Sequence, residues 1–335
     1  LGGVVPAHRQ LTELFSNPDI QKDIAGSIKG GFSGWTSMPK FDTPMWWSLV
    51  STIVAGVGIG VLAQPQLAVR FMTVKSNKQL NRAVLSGGIF ILSMTGIAFV
   101  VGALSNVLLF NKTGQIAIKA AGGVNDRIIP MFISTYIPQW FGAIFLVSML
   151  AAAMSTLSSQ FHAMGTAAGR DIYEKALGKK GNSMFITKSG ILIVIIISTA
   201  LAWLGAYLPV ADGIIAKFTS MFFELTSAAF LPVYIGALYV RKMPRAAAVW
   251  GMVSGFVMWF LWTFFVNAGS AKIWQISMLL FGKVSVVAGT PLEKLSVVGT
   301  SFIALPVSLI ITAVLTFVLK QDLENKHVDR CFEGI

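Results

Sequence analysis

The 335-residue chain is 55% apolar and only 12% charged, about half the charged share of a soluble domain. Its net charge of +12 comes from basic residues in short loops between long apolar stretches, a distribution that excludes a nucleic-acid-binding face and matches the cytoplasmic loops of a membrane protein. Several uncharged stretches exceed the roughly 20 residues that cross a bilayer core, which excludes an ordinary soluble globule and predicts an all-α, polytopic membrane protein.

In chain order, residues 1–43 are mixed and polar, with Gly, Pro and balanced charge, and read as an extramembrane segment carrying short helices. Seven spans follow, over about 44–71, 83–110, 139–170, 189–208, 214–240, 246–266 and 297–319. The run Ile-Leu-Ile-Val-Ile-Ile-Ile in the fourth does not argue for a strand, because a lone segment in lipid satisfies its backbone only as a helix. Residues 111–138 read as a loop with a surface helix over 114–121. Residues 267–296 read as a second loop with a re-entrant piece around 278–281, and 321–335 as a tail. Arg70, Lys75, Lys78 and Arg82 follow the first span. Arg170, Lys175, Lys179, Lys180 and Lys188 follow the third, and Arg241, Lys242 and Arg245 the fifth. Those loops belong in the cytoplasm, which puts the N-terminal segment outside and the tail inside. No signal-peptide pattern opens the chain. Cys331 stands alone, so it forms neither an internal disulfide nor a thiolate metal cluster.

Three places inside the spans carry chemistry. In the first span Gly56, Gly58 and Gly60 precede Gln64 and Pro65. Pro65 removes an amide donor and clashes with the preceding turn, so the helix should break between about Gly56 and Gln66. Broken helices in transporters line solute and ion sites; the alternative is that the glycines let two helices pack closely. In the third span Ser155, Thr156, Ser158 and Ser159 follow Ala151, Ala152 and Ala153. Neighbouring hydroxyls with a carbonyl one turn earlier suit a hard monovalent cation. The alternative is hydroxyls bonded to their own helix. In the fifth span Glu224 is an acid at membrane depth, functional by default but also able to serve as a buried structural residue, with Lys217 two turns earlier as a distant partner. His8, His162 and His327 are scattered, and no nucleophile–base pair, phosphate loop or zinc spacing appears, so the chain reads as no enzyme and as holding no metal other than an alkali cation.

Taken together, residues 60–71 (Gly-Val-Leu-Ala-Gln-Pro-Gln-Leu-Ala-Val-Arg-Phe), residues 150–160 (Leu-Ala-Ala-Ala-Met-Ser-Thr-Leu-Ser-Ser-Gln) with Arg170-Asp171-Ile172-Tyr173, and residues 237–255 through Lys242, Pro244 and Arg245 resemble the sodium:solute symporter family. Ala247 and Ser254 stand where that family usually has glycine. The resemblance implies the inverted-repeat, leucine-transporter-like fold. In it, 44–240 is the second five-helix repeat, 241–320 adds C-terminal helices, and 1–43 closes a first repeat that lies upstream. It implies a sodium site using the carbonyl of Ala152 and the hydroxyls of Ser155 and Thr156, completed by carbonyls of a first broken helix. It also implies a solute cavity walled by Val57, Val61, Gln64 and Pro65. Val57 and Val61 replace the aromatic pair of the family's proline carriers, and Ile91 lies near where its sugar carriers have lysine. The apolar wall suits a small organic acid, a vitamin-like acid or an aliphatic amino acid. The expected function is sodium-coupled symport of a small organic solute by alternating access in the cell membrane. A proton-coupled or uncoupled carrier or channel on the same fold is the alternative.

Overall fold

The computed structural model describes residues 1–71, 73–179, 183–207 and 214–319. The expected tail 321–335, with His327 and Cys331, and Lys180 lie outside the described residues. Among the described residues, seven helices are long and apolar enough to cross a membrane: Pro44–Ala63, Asn77–Thr113, Gln139–Ala176, Met184–Trp203, Ile214–Tyr239, Arg245–Val266 and Ser301–Val318. They fall on the seven predicted spans, and the described residues contain no strand. The chain is an all-α polytopic membrane protein.

The helices group into two compact units, one formed by Leu1–Ser76 with Ile215–Ile335 and the other by Asn77–Ile214. In the second unit the third and fourth spans form a hairpin that closes on small residues. A Cβ added at Gly165 would overlap Ile191, and one at Gly169 would press on the Thr187 backbone at 3.1 Å. Without a hydrophobic force between helices in lipid, such close backbone approach supplies the contact. The loop after the second span is tied back to it: Asn106 Oδ1 accepts the Ala117 amide at 3.2 Å, and the Tyr136 hydroxyl donates to the Leu108 carbonyl. The expected surface helix appears as the single turn Ala117–Ala120, and a helix forms over Ile128–Tyr136, inside the stretch expected to be loop.

The first unit holds the N-terminal short helices, the first span and the last three. The segment over Val4–Ser16 buries Ala7, Leu11 and Leu14, and Phe15, Phe32 and Trp35 pack edge-to-face beside it. The first span is composite. Thr43 caps it through the Trp46 amide, and Pro44 stands at its first position, where its missing N–H costs nothing. A widened stretch follows over Ser48–Val57, then Gly58–Gly60 in regular turns and Val61–Ala63 in a tight turn. Gln64 is extended (ψ 122°), and a new helix starts at Pro65. The break therefore falls at Gln64, because the residue before proline is pushed out of the helical region. The glycines are helical, and two of them serve close packing. A Cβ on Gly60 would overlap the Phe223 carbonyl, and one on Gly56 would lie 2.9 Å from Glu224 Cγ. The sixth and seventh spans pack along each other on Gly251, where a Cβ would overlap Thr312. In the 267–296 loop the piece expected around 278–281 is a short helix, Ile276–Phe281, with Leu279 exposed.

Candidate functional site

The best-built polar cluster lies where the first, fifth and seventh spans meet. Glu224 is 2% exposed, held there because Gly56 and Gly299 leave room for its side chain. Its Oε1 accepts the Thr300 amide at 2.8 Å, and the Ser301 amide and Thr300 hydroxyl also bond to the carboxyl. The carboxylate thus caps the N-terminus of Ser301–Val318 from another helix. The first amides of a helix lack partners within it and carry the positive end of its dipole, so they satisfy a buried acid without a basic residue. Beside it Ser51 Oγ accepts the Gly299 amide at 2.6 Å and itself donates to the Trp47 carbonyl. Ser227 and Ser301 hydroxyls lie 2.6 Å apart, and Thr263 and Thr300 hydroxyls 3.1 Å apart. Trp262 Nε1 and Asn267 Nδ2 both donate to the Val298 carbonyl, at 3.1 and 2.9 Å. Thr226 donates to the Gly60 carbonyl at 2.9 Å, one of the bonds freed as the first span nears its break. Lys217 is not the partner that the sequence offered for Glu224; helix amides take that place.

The sequence reading singled out Glu224 but missed Ser51, Thr226, Asn267 and the amides of Thr300 and Ser301. Hydroxyl and amide side chains inside apolar spans were the available signal. Backbone donors carry no signal at all.

A cavity of about 310 Å³ opens in the same unit, lined by Ser48, Thr52, Lys217, Ser220, Glu224 and Asn267 among others. Of the expected solute wall, Val57 and Val61 are half-buried, Gln64 is buried and Pro65 is exposed. None of the four lines this cavity, which reaches the first span at Ile53, one turn before Val57. Gln64 is held from its own neighbourhood, its Oε1 accepting Gln66 Nε2 at 2.9 Å.

The expected sodium residues lie in the other unit, on Gln139–Thr166. Ala152, Ser155 and Thr156 are exposed. The Thr156 hydroxyl donates to the Ala152 carbonyl at 3.1 Å. Two of the three expected oxygens therefore sit side by side on one helix face, joined by the i−4 bond that threonine commonly makes in membrane helices.

A broken first span, a hydroxyl face on the third and a polar junction at Glu224 are set in a polytopic all-α membrane protein. The profile of the sodium:solute symporter family matches residues 40–255, well over half the chain. The chain belongs to the sodium:solute symporter family. It is similar to the sodium/proline symporter of Staphylococcus aureus and to those of its strains JH9 and Newman, each 29% identical over 217 residues, covering 61% of this chain. The chain spans 40% of the length of these relatives. No solved structure gives a significant match.

Proposed function

We propose that the chain works in sodium-coupled secondary symport of a small organic solute by alternating access, as transport and not catalysis. The observation that carries this reading is the break of the first span at Gln64, in a chain of a symporter family. Backbone that leaves the helix inside a membrane is tolerated where it lines a cavity or is buried in protein, and in transporters such breaks line solute and ion sites. On this reading Val57, Val61, Gln64 and Pro65 form one wall of the solute path. Ala152, Ser155 and Thr156 supply three neutral oxygens to sodium. To bind, the Thr156 proton turns away from the Ala152 carbonyl, freeing both oxygens for the ion. Sodium's remaining ligands come from outside the third span. Residues 44–240 act as one five-helix repeat of an inverted-repeat fold, with 241–320 as additional helices. The relatives' name supports a solute of the proline type, and the small wall at Val57 and Val61 favours an aliphatic one.

The test is uptake into vesicles holding the native protein, driven by an inward sodium gradient or by an inward proton gradient. Sodium-driven accumulation that collapses when the sodium gradient is dissipated is the expected result. Accumulation driven by protons alone, or equilibration without accumulation, sinks the reading in favour of a proton-coupled or uncoupled carrier.

A further inference from the structure

Four consecutive side chains of the 267–296 loop are large, apolar and more than half exposed: Met278 at 51%, Leu279 at 86%, Leu280 at 62% and Phe281 at 58%. They belong to the six-residue helix Ile276–Phe281, which left-handed residues bound at both ends, Gln275 at φ 54° and Gly282 at φ 67°. The piece is fastened at its base. The buried Ser277 hydroxyl donates to the Lys283 carbonyl at 2.8 Å, and the Ser285 hydroxyl to the Val266 carbonyl at 2.6 Å. An exposed apolar cluster on a fixed mount marks a partner or a membrane surface. Two observations choose between them. The first is continuity with the lipid-facing side of the sixth span. Trp250, Val253, Val257 and Phe260 recur at three- and four-residue spacing on one helix face, and all four are exposed. Phe260 meets Phe265 edge-to-face at 6.2 Å, and Phe265 meets Phe281 at 6.0 Å. The apolar face of the span thus runs on, through two ring contacts, into the short helix. The second is charge. Exposed Lys272 and Lys283 flank the helix, and the sequence carries no acid from Asn267 to Leu292.

We propose that Ile276–Phe281 is a membrane-surface wedge that binds acidic phospholipid in the leaflet opposite the basic loops. Met278 to Phe281 sit among the first carbons of the lipid chains, and Lys272 and Lys283 take the headgroup phosphates. Six helical residues extend about 9 Å, far short of a hydrocarbon core of roughly 30 Å. That length suits an element lying in the interface, with its apolar side chains in the acyl boundary and its basic residues on anionic lipid. A second copy pairing through the same patch would set lysine against lysine, because a two-fold interface is self-complementary. The cavity beside Glu224 reaches this loop at Asn267–Ser270 and Ser296, and none of Ile276–Phe281 lines it. The wedge is therefore separate from that cavity, and the proposal stands apart from the symport reading.

The test attaches bimane to Leu279→Cys in a cysteine-free background of the native protein. The protein is held in vesicles of phosphatidylcholine alone, or of equal parts phosphatidylcholine and phosphatidylglycerol. Asp19→Cys, at a side chain 86% exposed in the polar N-terminal segment, is the water reference. In phosphatidylcholine, lipids brominated high on the acyl chain should quench the label at residue 279. Aqueous iodide should quench it several-fold less than the label at residue 19. Phosphatidylglycerol should deepen the lipid quenching, and the pair Lys272→Gln and Lys283→Gln should return it to the phosphatidylcholine level. Equal iodide quenching at the two positions puts the helix in water and overturns the proposal. A label shielded from both quenchers is covered by protein, which overturns it in favour of a docked chain. Lipid quenching that responds to neither phosphatidylglycerol nor the loss of the two lysines overturns the assignment to acidic phospholipid.

Discussion

Gly60 and Gly58 lie two residues apart and have different surroundings. A Cβ at Gly60 would overlap the Phe223 carbonyl, while one at Gly58 would meet nothing nearer than the Ile53 carbonyl at 4.0 Å. Gly60→Ala should therefore force the first and fifth spans apart, at about 1–3 kcal/mol for overpacking. Gly58→Ala should be neutral or slightly stabilising in its helical position. Thermal melts of the detergent-solubilised variants check this; equal midpoints for the two would show that the crossing is not close. Asp42 poses a different question at the same scale. Its carboxylate accepts Lys294 Nζ at 2.6 Å and Trp47 Nε1 at 2.9 Å. The lysine hydrogen bond above all, then the tryptophan bond and the lysine charge, hold the Asp42 carboxyl below its ordinary value. A depressed folded-state value means that the contact contributes above the unfolded value of about 3.9 and is lost as pH falls through the folded one. Titration of Asp42 by NMR should show a midpoint below the ordinary one, rising in Lys294→Met; an unchanged midpoint in that variant would refute the pairing.

At the level of elements, the spans were legible and their interiors only partly so. Apolar length located all seven, because bilayer thickness leaves few other readings. The break in the first span was legible from Pro65, since a missing amide and a clash act locally. The glycine run could be read either as unwinding or as close packing. The structure resolves it toward packing for Gly56 and Gly60, whose neighbours Glu224 and Phe223 lie far along the chain. The same limit hid the partners of Glu224. The acid was conspicuous in an apolar span, but its donors are amides at the start of a helix 76 residues later. The helix over Ile128–Tyr136 was missed because it follows the turn at Gly122 and Gly123, and it is too short to carry a span signal. The break itself invites a test. Pro65→Ala restores an amide and lets Gln64 enter the helical region. Sodium-driven uptake should fall about tenfold as the first span straightens, the loss expected when about one good interaction of about 1.4 kcal/mol is forfeited. Full uptake in Pro65→Ala would show that the interruption serves packing alone.

For the whole molecule, symport requires that sodium and solute report to each other. The residues assigned to sodium lie in the unit Asn77–Ile214, and those assigned to the solute in the unit built from Leu1–Ser76 and Ile215–Ile335. Coupling between two sites is reciprocal. Saturating sodium should tighten solute binding by some factor, and saturating solute should tighten sodium binding by the same factor. Solute affinity that does not change with sodium, a factor of one, would mean that the two ligands do not share one conformational equilibrium. The sharpest check is on the oxygens of the third span. Ser155 and Thr156 are replaced singly by alanine in the native protein, and sodium-dependent uptake is measured in vesicles across a range of sodium concentrations. Loss of one oxygen ligand of about 1–3 kcal/mol should raise the half-saturating sodium concentration by roughly ten- to hundredfold, with Ser158→Ala doing less because it points off that face. Sodium dependence unchanged in both Ser155→Ala and Thr156→Ala would contradict the assignment of sodium to this helix.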